Sequence, residues 1–422
     1  MKTKITSFTT KKALKYLDTG EEIFYDSSVS GKNDVMRGVW FSTVANIDFK
    51  ISKTPEEAKR QIDDMVAVMK KYHLNSVFFQ VHPLGDSFSS SELCPVSRFI
   101  TGEELNSYQI DIFKILVEKC HKEKIDVHAW INPYRVSNKS LEELSLTKEE
   151  YLNTLGEKSF ARQNKDLVLE TSLHKLILDP ASEKVQNHIS DLVLELANNY
   201  DIKSIHMDDY FYPYEELIDP KEEEKMHKIS KCTTIASFRR ENVTKLISKI
   251  SNSLKGKTEF GISPFAVWDT NTNCFPNHDG GNKEGSYNSY KAFTCYHGLY
   301  ADVLGWMKDG LIDYVVPQIY FAFDEFRVKD FEEIRLVTYH DLAKWWSTKA
   351  LETNTKLYIG QGLYRVGSQN EWTHSEELLR QLKFNHSFPN VLGSVFFTYH
   401  NFTDEEEALK KVQKELIKYY ED

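Results

Sequence analysis

The residues most able to do chemistry in this 422-residue chain gather in Ile205-His206-Met207-Asp208-Asp209-Tyr210-Phe211-Tyr212-Pro213-Tyr214. Two consecutive carboxylates follow an apolar run and stand beside four aromatic side chains. Burying an ionised carboxylate without partners is costly, so such a pair is either bonded by its neighbours or does chemistry. Cleavage of a glycosidic bond generally needs two carboxyl groups, one as acid and one as nucleophile or base. Asp208 is the candidate nucleophile or cation stabiliser, and Asp209 either holds geometry or exchanges roles with it. A structural alternative has Asp208 paired with Arg37 or Arg135 and Asp209 capping a helix. Asp302, in Tyr300-Ala301-Asp302-Val303, is the candidate general acid, with capping of the helix it opens as its alternative role. Asp86, Asp269 and Asp324 have weaker claims.

Sugar chemistry also needs flat apolar surfaces, because pyranose rings pack their C–H faces on aromatic side chains whose polar tips bond hydroxyls. Trp130, Tyr134, Tyr210, Tyr212, Trp268 and Tyr320 are the candidates. Arg37, Gln80, His82, Asn132, His206 and Gln318 would position hydroxyls or orient the carboxylates.

These residues need a scaffold that brings them together. Short apolar runs recur at 37–43, 76–82, 126–132, 204–210, 259–265, 314–321, 356–364 and 391–399. Such near-continuous runs suit strands buried on both faces. Helix-period segments lie between them at 55–72, 110–123, 182–199, 237–254, 299–309, 341–350, 375–384 and 404–420. Strand and helix alternating eight times predict an α/β fold, a single (β/α)8 TIM barrel. The segments after strands 2–5 (83–109, 133–181, 211–236 and 266–298) are long and would crown the C-terminal face. The expected organisation is an N-terminal arm over 1–34 and a barrel catalytic domain over 35–422. Side chains alternate across a strand, so Gln80 shares a face with His82, Trp130 with His128 and Asn132, His206 with Asp208, and Gln318 with Tyr320. That parity turns the polar strand ends into one lumen.

Composition narrows the partners. The net charge of −10 leaves no basic excess for nucleic acid. No run approaches the roughly 18 apolar residues of a membrane span, and the N-terminus lacks a signal's apolar core, so a cytoplasmic chain is expected. The five cysteines have no CxxC spacing, which favours reduced thiols over a zinc site or a disulfide framework. No cofactor or metal is expected: there is no HExxH, no GxGxxG and no GxSxG. A metal-dependent hydrolase built on His82, His128, His206 and Asp208 is one alternative, and a catalytically silent glycan-binding barrel is another. Oligomeric state is not legible.

The ordered motifs resemble a known family. Arg37-Gly38-Val39-Trp40 with Ala45-Asn46-Ile47-Asp48, Phe79-Gln80-Val81-His82-Pro83, His128-Ala129-Trp130-Ile131-Asn132-Pro133-Tyr134-Arg135, the block from Ile205 to Tyr214, Arg239-Arg240-Glu241-Asn242-Val243, Gly261-Ile262-Ser263-Pro264-Phe265, Tyr300-Ala301-Asp302, Pro317-Gln318-Ile319-Tyr320, and Tyr358-Ile359-Gly360 with Tyr364-Arg365 follow the pattern of the bacterial glycosyl-hydrolase-like family 10. His82 stands where that family usually has Arg, and Phe321 where it usually has Trp. The resemblance implies a (β/α)8 barrel glycosidase with a carbohydrate substrate, an oligo- or polysaccharide that includes cell-wall-type amino-sugar glycans.

Overall fold

A computed structural model describes residues 2–421 except 106, 275–280, 289–291, 330, 331 and 336; side chains at 326–329 and 332–335 are also outside it. The expected long loop 266–298 therefore lies partly outside the described residues. Eight strands, β1 (Met36–Phe41), β2 (Ser76–His82), β3 (Asp126–Ile131), β4 (Ser204–Met207), β5 (Glu259–Ile262), β6 (Tyr314–Val315), β7 (Lys356–Gln361) and β8 (Val391–Phe396), close into one barrel. Each strand pairs in parallel with its sequence neighbours, and β8 closes on β1. This is the (β/α)8 fold that the alternating pattern predicts.

Between the strands run α1 (Pro55–Lys71), α2 (Ile112–Lys122), α3 (Glu183–Asn199), α4 (Ile235–Leu254), α5 (Val303–Lys308), α6 (Tyr339–Thr353) and α7 (Glu376–Asn385), and α8 (Glu407–Glu421) follows β8. The start of α1 follows from its sequence. Thr54 accepts the Glu57 N–H, Pro55 occupies the first turn, and Ala58, Ile62, Met65 and Met69 form the buried stripe. The apolar run at 314–321 yields only a two-residue β6, because Pro317 has no N–H for the ladder. Beyond it, Gln318 makes single bridges to Phe265 and Gly360.

Val39, Val77, Phe79, Val127, Ala129, Ile205 and Ile262 face outward into the core shared with the helices. The lumen holds a separate apolar cluster of Met36, Trp40, Phe78, Trp130, Tyr314, Val316, Tyr358 and Val395. Gly261 is needed for this filling, since a Cβ there would lie 2.1 Å from the Tyr314 ring. Residues ahead of the barrel pair Lys2–Lys4 with Phe24–Asp26 and strap onto it. The Ser7 hydroxyl and the Phe8 and Thr9 N–H groups donate to Glu371, and the Leu17 N–H donates to Asp341. Among the described residues, no helix is long and apolar enough to cross a membrane.

Candidate active site

Strand β4 ends at Met207 and delivers Asp208 and Asp209 to the C-terminal mouth, both buried. Asp208 is braced by two donors. Asn132, just beyond β3, donates through Nδ2 to its Oδ2 at 2.6 Å, and the Tyr210 N–H donates to its Oδ1 at 3.0 Å. Asn132 is itself held, because Gln80 Nε2 donates to its Oδ1 at 2.5 Å. Gln80 Oε1 in turn accepts the Thr43 and Val44 N–H groups at 2.9 Å and the Ser42 hydroxyl at 3.2 Å. A chain of oriented amides thus runs from the loop after β1 to one carboxylate.

Asp209 has a different environment. The Tyr214 hydroxyl donates to its Oδ2, and Gln318, which also donates to the Ser263 carbonyl at 2.8 Å, bonds its side chain. Burial, followed by the adjacent charge of Asp208, pushes the Asp209 carboxyl up to about 7 against the pull of those donors. The alternation of a strand would set Asp208 and Asp209 on opposite faces. The chain has already left β4 at this point, and both side chains serve the mouth.

Aromatic rings frame the pair on two sides. On one, the Arg135 guanidinium lies 4.2 Å over the Tyr210 ring, Tyr210 adjoins Tyr214, and Tyr214 stacks on Phe293 with centroids 5.4 Å apart. Phe265 meets Phe293 edge-on, and Phe321 adjoins Phe265. On the other side Tyr320 packs with Tyr364 and Phe397, close enough to feel both aspartates. Below them Trp130 and Trp40 form the floor, and the buried Trp130 Nε1–H has no hydrogen-bond partner among the described residues.

Other expected site residues lie elsewhere. A bulge in the β2–β3 ladder between Gln80 and His82 sets His82 opposite outward-facing Ile131. One extra residue reverses facing, so His82 leaves the lumen and bonds the Asp86 carbonyl at 3.0 Å through Nδ1. Arg37, expected among the positioning residues, sits at the opposite end of the barrel. It donates to the carbonyls of His73 and Lys32 and lies over Tyr420. His206 does face the lumen, but below the mouth, where Ser263, Trp40 and the Tyr314 hydroxyl surround its ring nitrogens. Burial holds it well below the ordinary histidine range.

Tyr134 and Tyr212 belong to the outer core, with Tyr212 edge-on to Tyr300. Trp268 is stacked on Trp345 there. Asp302 caps α5 by accepting the Gly305 N–H at 3.0 Å, the alternative role anticipated for it. Asp86 accepts from Ser97 and the Arg98 N–H, and Asp269 from the Thr270 N–H. Among the described residues, no three His, Cys, Asp or Glu side chains gather as a metal's ligands would. The structure therefore unites Asp208, Asp209, Gln80, Asn132, Gln318, Tyr210, Tyr320 and Trp130. Tyr214, Phe293 and Tyr364 were not expected there. Tyr214 could have been found from its place in the fourth-strand aromatic run, whereas Phe293 arrives from a distant loop with no local signal.

The family model described as Glycosyl hydrolase-like 10 matches residues 35–375. The chain is 31% identical over 374 residues to Glycosyl hydrolase YngK of Bacillus subtilis (strain 168), covering 86% of this chain and 68% of that protein. It is 31% identical over 404 residues to Glycosyl hydrolase DigH of Escherichia coli (strain K12), covering 90% of this chain and 86% of that one. The solved glycoside hydrolase domain of PgaB (BpsB) from Bordetella bronchiseptica superposes with a TM-score of 0.51 at 11% identity, over 90% of this chain and 98% of that one. That last likeness is one of fold.

Proposed function

The chain belongs to the glycosyl hydrolase-like 10 family, and on that premise we propose that it is a glycoside hydrolase in which Asp208 and Asp209 divide the carboxyl roles. The observation that carries this reading is the unlike bonding of two adjacent carboxyl groups at one barrel mouth. Environments that separate two titratable groups assign the acid and its partner. Asp209, pushed up to about 7 by burial and by Asp208, retains a proton near neutrality and gives it to the leaving oxygen. Asp208, braced by Asn132 and the Tyr210 N–H, stabilises or attacks the developing oxocarbenium carbon. Gln80, Asn132 and Gln318 hold the carboxyl groups in register, and Tyr210, Tyr320 and Trp130 supply faces for sugar rings.

Aromatic rings on two sides of the carboxyl pair favour an oligo- or polysaccharide over a small charged metabolite. Cell-wall-type amino-sugar glycans, which the sequence resemblance implies, are the first substrates to try. The test is incubation of the parent protein, Asp208→Asn and Asp209→Asn with purified wall-derived and storage glycans, with product masses as readout. The parent should release shortened glycans, and each variant should lose at least about a hundredfold in rate, the scale of a lost acid–base group. Undiminished hydrolysis by both variants would overturn the proposal.

A further inference from the structure

Tyr214 has a bonding pattern that a surface tyrosine does not need. Its hydroxyl donates to Asp209 Oδ2, yet the residue is 49% exposed. Its ring stacks on Phe293, itself 37% exposed, with planes 30° apart. A glycine makes room for this second ring: a Cβ at Gly298 would lie 2.3 Å from Phe293 Cζ. Phe265 buttresses Phe293 from its edge. Two exposed rings are therefore stacked on each other, one of them bonded to a carboxyl group.

We infer that Tyr214 is a positioning residue with two separable duties: its hydroxyl holds the Asp209 carboxyl in orientation, and its ring, with Phe293, forms the wall on which a pyranose beside that carboxyl stacks. This rests on the reading of Asp209 as the acid. The two duties fall on different atoms of one side chain, so different substitutions separate them. The hydroxyl acts on the acid. A donor to the ionised carboxylate opposes burial and the Asp208 charge, so its removal leaves the proton held more tightly. The ring acts on binding, through contact with the apolar face of the sugar.

The experiment measures kcat and KM against pH on a glycan that the parent cleaves, for Tyr214→Phe, Tyr214→Leu and Gly298→Ala, with thermal melts alongside. Tyr214→Phe should move the alkaline limb of the profile to higher pH and lower kcat by about tenfold, the worth of a bond to a charged group, with KM unchanged. Gly298→Ala, which displaces Phe293 without touching a carboxyl group, should raise KM by about two- to tenfold, the range of an aromatic contact, and leave the limb in place. Tyr214→Leu should show both changes. A Tyr214→Phe profile that superimposes on the parent's, or a KM unmoved in both Tyr214→Leu and Gly298→Ala, would sink the inference. If Asp209→Asn still abolishes turnover in that case, the assignment of the acid survives. If Asp209→Asn remains active, both fall.

Discussion

Asn132 donates to Asp208 at 2.6 Å while accepting from Gln80 at 2.5 Å, so the carboxylate is aimed by an amide that is itself aimed. An amide bonded at both ends cannot flip without breaking one of its bonds, and the setting of Asp208 is therefore tied to the loop after β1. Asn132→Leu is expected to lower kcat by about ten- to a hundredfold, the worth of a bond to a charged group, with KM little changed. Gln80→Leu should lower kcat in the same direction, because Gln80 acts on Asp208 through Asn132. Steady-state kinetics of both variants and the double variant check this. Fully additive losses would mean that the two amides do not act as one chain.

The carboxyl of Asp209 lies near 3.8 in an unfolded chain and is pushed up to about 7 by burial and by Asp208. Its neutral form is favoured in the fold. The stability this contributes is complete below about pH 4 and is lost as pH rises toward 7. Asp209→Asn should therefore melt with the parent at pH 4. At pH 8 it should be more stable by an amount on the order of a few kcal/mol. Denaturant titrations at the two pH values decide it.

Histidine burial acts in the opposite sense. Burial lowers His82 to about 4 and His128 to about 3, and holds His206 well below the ordinary histidine range. Each ring is favoured neutral in the fold. This stability is complete above about pH 6.5 and is lost as pH falls toward 4, because the unfolded chain takes up the protons first. Asp34 and Glu377, whose carboxyls burial pushes up to about 7, oppose this trend, so the test is differential: the parent should lose more stability between pH 7 and pH 4 than His128→Phe does. Equal losses in the two would contradict the burial of His128.

Asp302 tests capping against catalysis. Asn caps a helix about as well as Asp, whereas Ala does not. Asp302→Asn should keep both stability and turnover, and Asp302→Ala should lose about 1 kcal/mol of stability. A large fall in kcat for Asp302→Asn would instead return this residue to the general-acid role.

Arg37→Met removes donors from the carbonyls of His73 and Lys32 and should cost about 1–3 kcal/mol of stability. His82→Gln keeps a polar side chain in the pocket beneath the loops. Neither should change kcat/KM, because neither side chain reaches the mouth. A selective rise in KM for either variant would place it in the substrate site after all.

Much of this molecule was legible in one dimension. Hydrophobic periodicity is local, and it marked eight strands, eight helices and hence the barrel. Asp208 and Asp209 were also legible, because adjacency in sequence is adjacency in space. Tertiary structure alone decided facing and company. The parity that placed Gln80 in the lumen placed His82 there too, until a one-residue bulge in the β2–β3 pairing turned it outward. Such a slip depends on how two strands pair, which neither strand records by itself. Asp302 opens a helix by its sequence, and only the tertiary structure showed that its side chain accepts the Gly305 N–H. Phe293 lies 79 residues from Tyr214 by their numbers, and they stack because two loops fold over the same strand ends. Local pattern sets what each segment becomes, whereas loop closure across the barrel mouth sets which side chains meet.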